Sequence, residues 1–399
     1  MTAKTNIAAA VDVGSSYTRA VICSLENGCL EYRGAGIVAS SGITRSRITD
    51  RVTISAAILR CVQMAEREAG VQLETITVGC GGTTIRGANT RSRIETGRPR
   101  EIEQRDVDRA FERAARVQLP EDRVLLQLCP QDFVMDDRAG YRDPRKMIAA
   151  MMEAHAHVIT VGSQEHALLL QAVHQAHLAV DETVFEGIAA CYAAVEPEDR
   201  REGLALLDIG QHSSELVVYY GDALQLAATI AVSGDHFTRD LSHYLRIQYD
   251  DALLVKEQYG SASASTTAEN SYVELPVPDG REMRETGRRA LNEVIEMRAV
   301  ELFRLVRTEL VRVGMERALA GGIVITGGGA RMHGICDAAE QVLDCPARIG
   351  LPFGIRHWPE ELDCPSWSTV AGLTMYSARL RSRSEAPKNS AGILARILR

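Results

Sequence analysis

Two segments of the chain repeat one pattern, and this repetition limits the possible folds more than any other feature. Residues 11–22 (VDVGSSYTRAVI) and 207–218 (LDIGQHSSELVV) each give an apolar strand, an Asp-x-Gly turn and a second strand. Each pair of strands is followed by a further predicted strand, so the repetition extends beyond the turn. We therefore predict a duplicated α/β domain whose two copies face each other across a cleft.

The turn in each copy has the composition that a phosphate group and its metal ion require. A glycine lets the backbone approach a ligand closely, and the amides and hydroxyls that follow can point at phosphate oxygens. An aspartate at the strand end can hold water around Mg²⁺, an ion that prefers carboxylates and several waters. The candidates are Asp12 and Asp208 for the metal, and Gly14, Ser15, Ser16, Gly210 and Ser213 for phosphate. Either turn alone is more typical of a plain hairpin loop, whereas the pair favours a nucleotide site.

A third glycine-rich loop follows the strand predicted at 323–326. Gly327, Gly328 and Gly329 would let the backbone lie flat against a base or ribose. A helix predicted from about Ala330 would favour an anion at its N-terminus. The loop is not a Walker A motif, because no Gly-Lys-Ser/Thr follows it, and it does not follow the first strand as a dinucleotide fingerprint should. A purely structural strand-to-helix turn is the alternative.

Composition excludes several classes of protein. The 399 residues are 45% hydrophobic and 25% charged, which is typical of a folded chain with several subdomains. The net charge of −8 argues against a general nucleic-acid binder, which needs clustered basic residues. Nine cysteines without a Cys-x-x-Cys pair indicate reduced thiols in a cytoplasm. No window approaches the roughly 18 consecutive apolar residues of a membrane-spanning helix.

The end of the chain differs from its acidic body. Residues 379–399 hold six basic residues and one acidic residue. Within 391–399, the aliphatic residues fall on one side of a helical wheel and the arginines on the other. A helix of about nine residues is too short to cross a membrane, so we expect it to lie in an anionic lipid interface. Docking on the chain's own body is the alternative. The predicted membrane-contacting residues are Ile393, Leu394, Arg396, Ile397, Leu398 and Arg399.

These motifs, in this order, resemble those of the actin-like ATPase superfamily and, within it, the FtsA family. The two Asp-x-Gly turns and TGGGA at 326–330 are similar to the two phosphate motifs and the adenosine motif of the superfamily. Segments 123–137, 157–163 and 320–352 are also similar to the FtsA pattern. The resemblance covers nearly the whole chain.

The resemblance implies an actin-like two-lobe α/β fold of duplicated ribonuclease-H-like domains, with an inserted 1C-type subdomain and a C-terminal amphipathic helix. The first core subdomain would comprise 1–83 and 162–195, and the insertion 84–161. The second core subdomain would comprise 196–242 and 299–380, with a partner-binding subdomain at 243–298. A linker at 381–390 would lead to the membrane-targeting helix at 391–399.

The same resemblance implies a role in bacterial cell division. The chain would be an ATP-binding, polymerising adaptor that tethers FtsZ filaments to the membrane and helps recruit other divisome proteins. The implied cofactors are ATP and Mg²⁺. The implied partners are the FtsZ C-terminal tail, further copies of the chain, downstream divisome proteins and the anionic lipid surface. The chain would be peripheral, on the cytoplasmic face of the inner membrane at the division septum.

The chain departs from the family pattern in its nucleotide motifs. Relatives usually have DIGGGTT, whereas this chain has DIGQHSSE, with Gln211 and His212 where glycines let the backbone approach the γ-phosphate. Lys256 is similar to the lysine of a Glu-x-x-Lys motif in many relatives, but Leu253 stands where the glutamate would bind ribose. These changes indicate altered nucleotide affinity or turnover.

Glu186 is the candidate catalytic residue. It begins a predicted helix at the position where actin-like relatives such as MreB place a glutamate that orients the attacking water. A glutamate at a helix N-terminus is also electrostatically favourable without any catalytic role. We expect a slow ATPase at most, since turnover need not be the function.

The predicted binding site for a partner has two explanations. In the family the FtsZ tail docks on the subdomain at 243–298, where clustered arginines could receive an acidic peptide. A solvated helix face is the commoner explanation for such a cluster. The arginines are Arg281, Arg284, Arg288 and Arg289.

An actin-fold small-molecule kinase or phosphatase, or a pilus-assembly-type peptide-binding ATPase, is the alternative function. Metal ligation by His155 and His157 is possible, but a packed or solvated role is favoured.

Overall fold

The computed structural model of the chain describes residues 6–115, 119–276 and 283–384. Its strands are β1 (Asn6–Val13), β2 (Tyr17–Glu26), β3 (Cys29–Ala39), β4 (Ile43–Thr44), β5 (Arg47–Ile48), β6 (Thr75–Cys80), β7 (Arg86–Glu101), β8 (Arg123–Met135), β9 (Arg138–Tyr141), β10 (Ile148–Gly162), β11 (Ala179–Phe185), β12 (Leu204–Ile209), β13 (Ser214–Tyr220), β14 (Ala223–Ile230), β15 (Tyr272–Pro276), β16 (Met283–Gly287), β17 (Ile323–Thr326), β18 (Ala347–Ile349) and β19 (Ile355–Arg356). Its helices are α1 (Arg51–Ala69), α2 (Gln104–Ala115), α3 (Ser163–Gln175), α4 (Glu186–Ala194), α5 (Pro197–Glu202), α6 (Gly234–Leu245), α7 (Tyr249–Tyr259), α8 (Arg288–Arg312), α9 (Ile335–Leu343) and α10 (Ser368–Ser384).

The first lobe is built on a six-stranded mixed sheet in the order β11-β6-β1-β2-β3-β19. Side chains of β1 alternate between its two faces, as strand geometry requires. Ala9 and Val11 pack in the core that contains the buried face of α1 and residues of α3. Ala8 and Ala10 face the other side of the sheet, where α10 covers them. Because both faces are covered, β1 is apolar from Ile7 to Val11.

The second lobe repeats this arrangement around the second Asp-x-Gly turn. Its sheet has the order β14-β13-β12-β17-β18. In each lobe the hairpin that carries the turn is antiparallel, and its first strand has a parallel neighbour, β6 beside β1 and β17 beside β12. The third strand of each set, β3 or β14, is antiparallel to the second. The predicted duplication therefore holds at the level of strand order and direction.

A separate four-stranded sheet, β7-β10-β8-β9, interrupts the first lobe between β6 and α3. Helix α2 packs on it and the unit has its own apolar core, in which Phe111 and Phe133 make an edge-to-face contact at 5.5 Å. This inserted sheet lies against β14, the edge strand of the second lobe. The insertion that the resemblance implies at 84–161 covers this sheet except for Gly162, the last residue of β10.

The predicted boundary of the second lobe is wrong near its C-terminal end. We assigned 299–380 to that lobe, but β19 pairs with β3 of the first sheet and α10 packs against α4 and β1. The predicted linker at 381–390 also starts too early, because α10 continues to Ser384 and Arg381 forms an ion pair with Asp181 of β11 at 2.9 Å. The remainder of the linker and the helix predicted at 391–399 lie outside the described residues.

Gly372 permits the close contact between α10 and α4. A Cβ at this position would lie 1.7 Å from the Ala189 carbonyl oxygen, which is backbone and cannot move aside as a side chain could. We expect Gly372→Ala to lower the free energy of unfolding by about 1–3 kcal/mol, although alanine favours helices. Denaturant unfolding measures this. Gly287→Ala, whose added Cβ meets no atom within 4 Å, is the control, and equal losses in the two variants would contradict the packing argument.

Candidate functional site

Both predicted turns form hairpins in which the same contact requires glycine. A Cβ at Gly14 would lie 2.7 Å from the Tyr17 carbonyl oxygen, and one at Gly210 would lie 2.8 Å from the Ser213 carbonyl oxygen. Carbon atoms do not approach backbone oxygens so closely, so a side chain would force each turn open. The two copies therefore share turn geometry as well as sequence.

Asp12 and Asp208, from opposite lobes, are both buried beside this pair of turns. Burial raises the pKa of Asp12 to about 6, while the Arg19 guanidinium opposes this rise and the Asp208 carboxylate adds to it. Burial also raises the pKa of Asp208, against a 2.5 Å hydrogen bond from the Thr369 hydroxyl and the charge of Arg19. The structure thus brings the two candidate metal-site residues together from separate lobes.

Glu186 extends the acidic group. It is the first residue of α4, and its pKa is raised by burial and by the charges of Asp12, Glu215 and Asp208. A Cβ at Gly81 would lie 2.1 Å from Glu186 Oε2, so the loop after β6 packs directly on this carboxylate. The candidate catalytic glutamate therefore lies next to the candidate metal site.

Two charged residues of the site, Arg19 and Glu215, were not predicted from the sequence. Arg19 lies opposite Asp12 in the register of its hairpin, and Glu215 lies opposite Asp208 in the other. Superposing the two copies of the repeat would have placed both at one position, where they carry opposite charges. The Arg19 guanidinium stacks over the rings of Tyr17 and Trp367, at 5.3 and 5.5 Å from their centroids.

Glu215 ties the second hairpin to the loop that leads into the inserted subdomain. Burial and the Asp208 charge raise its pKa to about 7. Its Oε1 accepts hydrogen bonds from the Gly82 amide at 3.0 Å and from the Ser213 hydroxyl at 2.9 Å. The Thr229 hydroxyl of β14 donates to the Gly82 carbonyl oxygen at 2.9 Å. The candidate phosphate residue Ser213 is therefore already engaged, and two strands of the second lobe, β13 and β14, hold the Gly82 loop.

The third glycine loop follows β17, but its three glycines are not equivalent. A Cβ at Gly327 would lie 2.0 Å from Asp208 Oδ1, and one at Gly329 would lie 2.2 Å from Ile209 Cγ2. Gly328 has no atom within 4 Å of its Cβ position and is the one of the three that faces open space. The predicted helix start near Ala330 is wrong, because a 3₁₀ turn (328–331) comes first and α9 begins at Ile335.

Lys256 lies beside the second hairpin rather than among the carboxylates. Its Nζ donates to the Gly234 carbonyl oxygen at 3.2 Å and to Thr238 Oγ1 at 2.7 Å, both at the start of α6. The Gly234 amide in turn donates to the Gly210 carbonyl oxygen at 2.9 Å. Burial lowers the pKa of Lys256, against the charges of nearby acids. Lys256 therefore stabilises the start of α6, which is hydrogen-bonded to the turn at Gly210.

The donor set suits a hydrated divalent cation. Four carboxylates with Arg19 as their neighbouring cation leave net negative charge in a region shielded from water, where a further positive charge is favoured. Across 6–115, 119–276 and 283–384, no three His, Cys, Asp or Glu side chains converge closely enough to hold a metal directly. Carboxylates such as those of Asp12 and Asp208 are the side chains that Mg²⁺ accepts together with several waters, so the residues present are of the type that the ion requires.

Three of the four predicted partner-binding arginines contact their own chain. They lie on β16 and at the start of α8. The contacts are Arg284 to the Leu245 carbonyl oxygen, Arg288 to the Tyr259 carbonyl oxygen at 2.8 Å, and Arg289 to Glu269 at 2.9 Å. Arg281 and the residues at 391–399 that are predicted to contact a membrane lie outside the described residues.

Comparison with known proteins places the chain in a family. A family model described as cell division protein FtsA matches residues 205–372, and one described as an SHS2 domain inserted in FtsA matches 82–160. The cell division protein FtsA of Pseudomonas aeruginosa is 31% identical to the chain, over 93% of this chain and 89% of its own length. The chain belongs to the FtsA family. The Escherichia coli K12 member is 28% identical, over 94% and 91% of the two chains.

Solved structures outside the FtsA family share the fold at low identity. The PilM–PilN type IV pilus biogenesis complex superposes with a TM-score of 0.68 at 15% identity, over 94% of this chain and 98% of that one. MreB5 of Spiroplasma citri bound to ADP gives 0.59 at 13%, over 96% and 99%. These matches and the inserted SHS2 domain confirm the predicted actin-like two-lobe fold. None of the helices in the described part of this FtsA-family chain is long and apolar enough to cross a membrane.

Proposed function

We propose that this FtsA-family protein binds ATP and Mg²⁺ between its two lobes, polymerises, and tethers FtsZ filaments to the cytoplasmic face of the inner membrane at the division septum. One observation carries the nucleotide part of the proposal, namely that Asp12 and Asp208 meet from separate lobes beside two hairpins with matching glycine contacts. MreB5 of Spiroplasma citri, whose lobes have the same fold, is bound to ADP in its solved structure.

Each hairpin supplies part of the proposed phosphate and metal site. Asp12 and Asp208 hold the waters of Mg²⁺, and the turn at Gly14, Ser15 and Ser16 offers amides and hydroxyls to phosphate oxygens. Gly210 lets the second turn approach the same phosphates. The adenosine lies against the third loop at Gly328, which faces open space.

Glu186 provides the proposed chemistry, orienting water toward the terminal phosphate. Burial and neighbouring carboxylates raise the pKa of Glu186, and a cation bound nearby would favour its ionised form. A slow ATPase at most is expected, because nucleotide binding and polymerisation, rather than turnover, are the proposed function.

The C-terminal residues supply the proposed membrane contact. Full burial of the four aliphatic residues predicted at 391–399 would contribute about 6–12 kcal/mol, at about 1.5–3 kcal/mol for each side chain. Ordering a short peptide opposes much of this gain. One tail therefore binds reversibly, and a polymer that carries many tails binds firmly through effective concentration. Polymerisation and tethering act together in this proposal, with the FtsZ tail, further copies and other divisome proteins as partners.

Deleting residues 391–399 tests the tethering function. Co-sedimentation with vesicles that contain anionic lipid is expected to fall at least about ten-fold, while nucleotide binding is retained. Leu398→Ser, on the apolar face of the predicted helix, should reproduce much of the loss. Gly392→Ser, on the polar face, is the matched control and should bind like the unaltered chain. A kinase or a pilus-assembly-type ATPase needs no such tail, so unchanged co-sedimentation after deletion would favour those alternatives.

A further inference from the structure

The Gln211 side chain spans the cleft between the two lobes. The Ser16 hydroxyl, in the first hairpin, donates to Gln211 Oε1, in the second, at 2.6 Å. Gln211 follows directly on Gly210, and the resemblance described above would place a glycine here. This contact therefore comes from a side chain that the family pattern lacks, at the point where the two turns approach each other.

The backbone of Gln211 is held in place, so its side chain is the adjustable part. The Gln211 carbonyl oxygen accepts a hydrogen bond of 2.7 Å from the Asp235 amide and one of 2.8 Å from the Ser233 hydroxyl. Both donors lie at the start of α6, where Ser233 is the N-cap residue. A ligand that enters between the turns can move the Gln211 amide group by rotation about its side-chain bonds, without moving the turn.

The Gln211 side chain also reaches α7. Burial raises the pKa of the Tyr249 hydroxyl, its hydrogen bond to Asp235 raises it further, and contact with the Gln211 side chain opposes the rise. The Tyr249 hydroxyl donates to Asp235 Oδ1 at 2.7 Å. Gln211 thus lies between Ser16 of the first lobe and Tyr249 of the second.

We propose that Gln211 sets the preference of the cleft between nucleoside triphosphate and diphosphate. This inference rests on the proposed nucleotide site. The Gln211 side chain bridges the space between the two turns that are proposed to bind phosphate. A terminal phosphate that enters this space must displace the side chain and break its hydrogen bond to Ser16. A diphosphate is shorter by that one group and leaves the bridge in place.

The expected effect follows from the lost hydrogen bond. Removing the Gln211 side chain abolishes the competition and tightens binding of the triphosphate only. A hydrogen bond of ordinary strength corresponds to about a two- to ten-fold change in a dissociation constant. Diphosphate binding should change less than about two-fold, because the diphosphate does not compete with the bridge.

Calorimetric titration of the full chain with Mg²⁺-AMPPNP and Mg²⁺-ADP tests the inference. Gln211→Ala and Gln211→Asn should both bind AMPPNP more tightly than the unaltered chain does, since alanine lacks the amide and asparagine is one methylene too short to reach Ser16. Gln225→Ala is the control, because that glutamine lies on β14 and its side-chain nitrogen donates to the carbonyl oxygens of Tyr220 and Ala223. The ratio of the ADP and AMPPNP constants is the readout that general loosening would not move.

Two kinds of result would overturn the inference. Equal shifts for both nucleotides, or no shift, would show that Gln211 does not compete with the terminal phosphate. Weaker AMPPNP binding by the variants would show that the Gln211 amide binds this phosphate rather than giving way to it. Should the alanine variant fail to fold, the asparagine variant decides between these outcomes. If the unaltered chain retains neither nucleotide at millimolar concentration, the proposed site fails, which is a separate result.

Discussion

Asp12→Asn is expected to abolish binding of the Mg²⁺-nucleotide and, at the same time, to make the nucleotide-free protein harder to unfold. Asparagine has the shape of aspartate but no charge, so it cannot organise the waters of a cation. The same change removes a carboxylate that burial makes costly to ionise and whose charge is also repelled by Asp208, against the attraction of Arg19. A residue kept only for stability would give the opposite result in the second measurement.

The size of the stability gain depends on pH. The pKa of Asp12 is about 6 in the folded chain, against 3.8 for an unperturbed aspartate. The stability that protonated Asp12 contributes is therefore complete below pH 3.8 and is lost as pH rises past about 6. Asparagine does not ionise, so Asp12→Asn keeps this stability as pH rises. Its gain in free energy of unfolding over the unaltered chain should therefore reach up to about 3 kcal/mol at pH 7–8 and vanish near pH 4.

Two measurements on one preparation test this prediction. Calorimetric titration with Mg²⁺-ATP should detect no binding to Asp12→Asn, and thermal unfolding without nucleotide should show a raised midpoint at pH 8. Asp137→Asn is the matched control, because Asp137 is exposed in a turn with a positive φ of 64° that asparagine also tolerates. Unchanged ATP affinity in Asp12→Asn would refute the proposed site. A lowered midpoint of thermal unfolding would show that the Asp12 charge stabilises the fold instead of destabilising it.

His157→Gln is expected to remove a loss of stability that the unaltered chain suffers in mild acid. His157 Nε2 accepts a hydrogen bond of 3.1 Å from the Ala227 amide on β14, and Nδ1 lies 2.6 Å from Asn89 Oδ1. Since Nε2 accepts, the hydrogen is on Nδ1 and the ring is neutral. His157 belongs to the inserted sheet, so this contact joins the inserted subdomain to the second lobe. His157 thus has the packed role favoured from the sequence.

The direction in which the pKa of His157 is shifted decides whether acid lowers or raises the free energy of unfolding. Burial, with a smaller effect of the Arg312 charge, lowers the pKa of His157 from 6.5 to about 4. The unfolded chain therefore takes up this proton at a higher pH than the folded chain does. Stability is intact above pH 6.5 and is lost progressively down to about pH 4, by about 3 kcal/mol in all. A glutamine oxygen can accept from Ala227 in place of Nε2 and does not titrate.

The test is the pH dependence of denaturant unfolding between pH 4 and pH 7.5. Relative to the unaltered chain, His157→Gln should gain stability toward pH 4.5, and the comparison cancels the titration of the carboxylate group that both proteins share. His174→Gln, at an exposed position on α3, is the control and should keep the parent profile. Parallel profiles for His157→Gln and the parent would show that His157 is not held neutral at this contact.

The two hairpins and the order of strands could be predicted because their signals are local. Alternation of apolar residues, the Asp-x-Gly turn and its neighbouring strand all lie within about a dozen residues. The ends of α1 also have local signals, since Asp50 caps its start through the amides of Val52 and Thr53 and Gly70 ends the helix in a left-handed conformation. The start of α9 was missed, because Gly334 allows the chain to turn once more before the helix begins.

Residues that act through distant partners were harder to find. Arg19 and Glu215 have the pattern of ordinary strand residues, each opposite an aspartate of its own hairpin. Their place in one buried site appears only when the two hairpins meet and bring Asp12 and Asp208 together. The return of α10 to the first lobe depends on contact with α4 at Gly372, and neither helix carries a sequence signal for the other. Such pairings follow from the shape of the whole chain.

The sequence by itself determined the duplication, the turn chemistry and the family to which the chain belongs, since each is written in short runs of neighbouring residues. Only the tertiary structure decided which charges share one buried site, that Gln211 bridges the cleft to Ser16, and that His157 joins the inserted subdomain to β14. The physical reason is that burial and electrostatic coupling depend on distances in space. Residues far apart along a chain acquire those distances only when the lobes pack together.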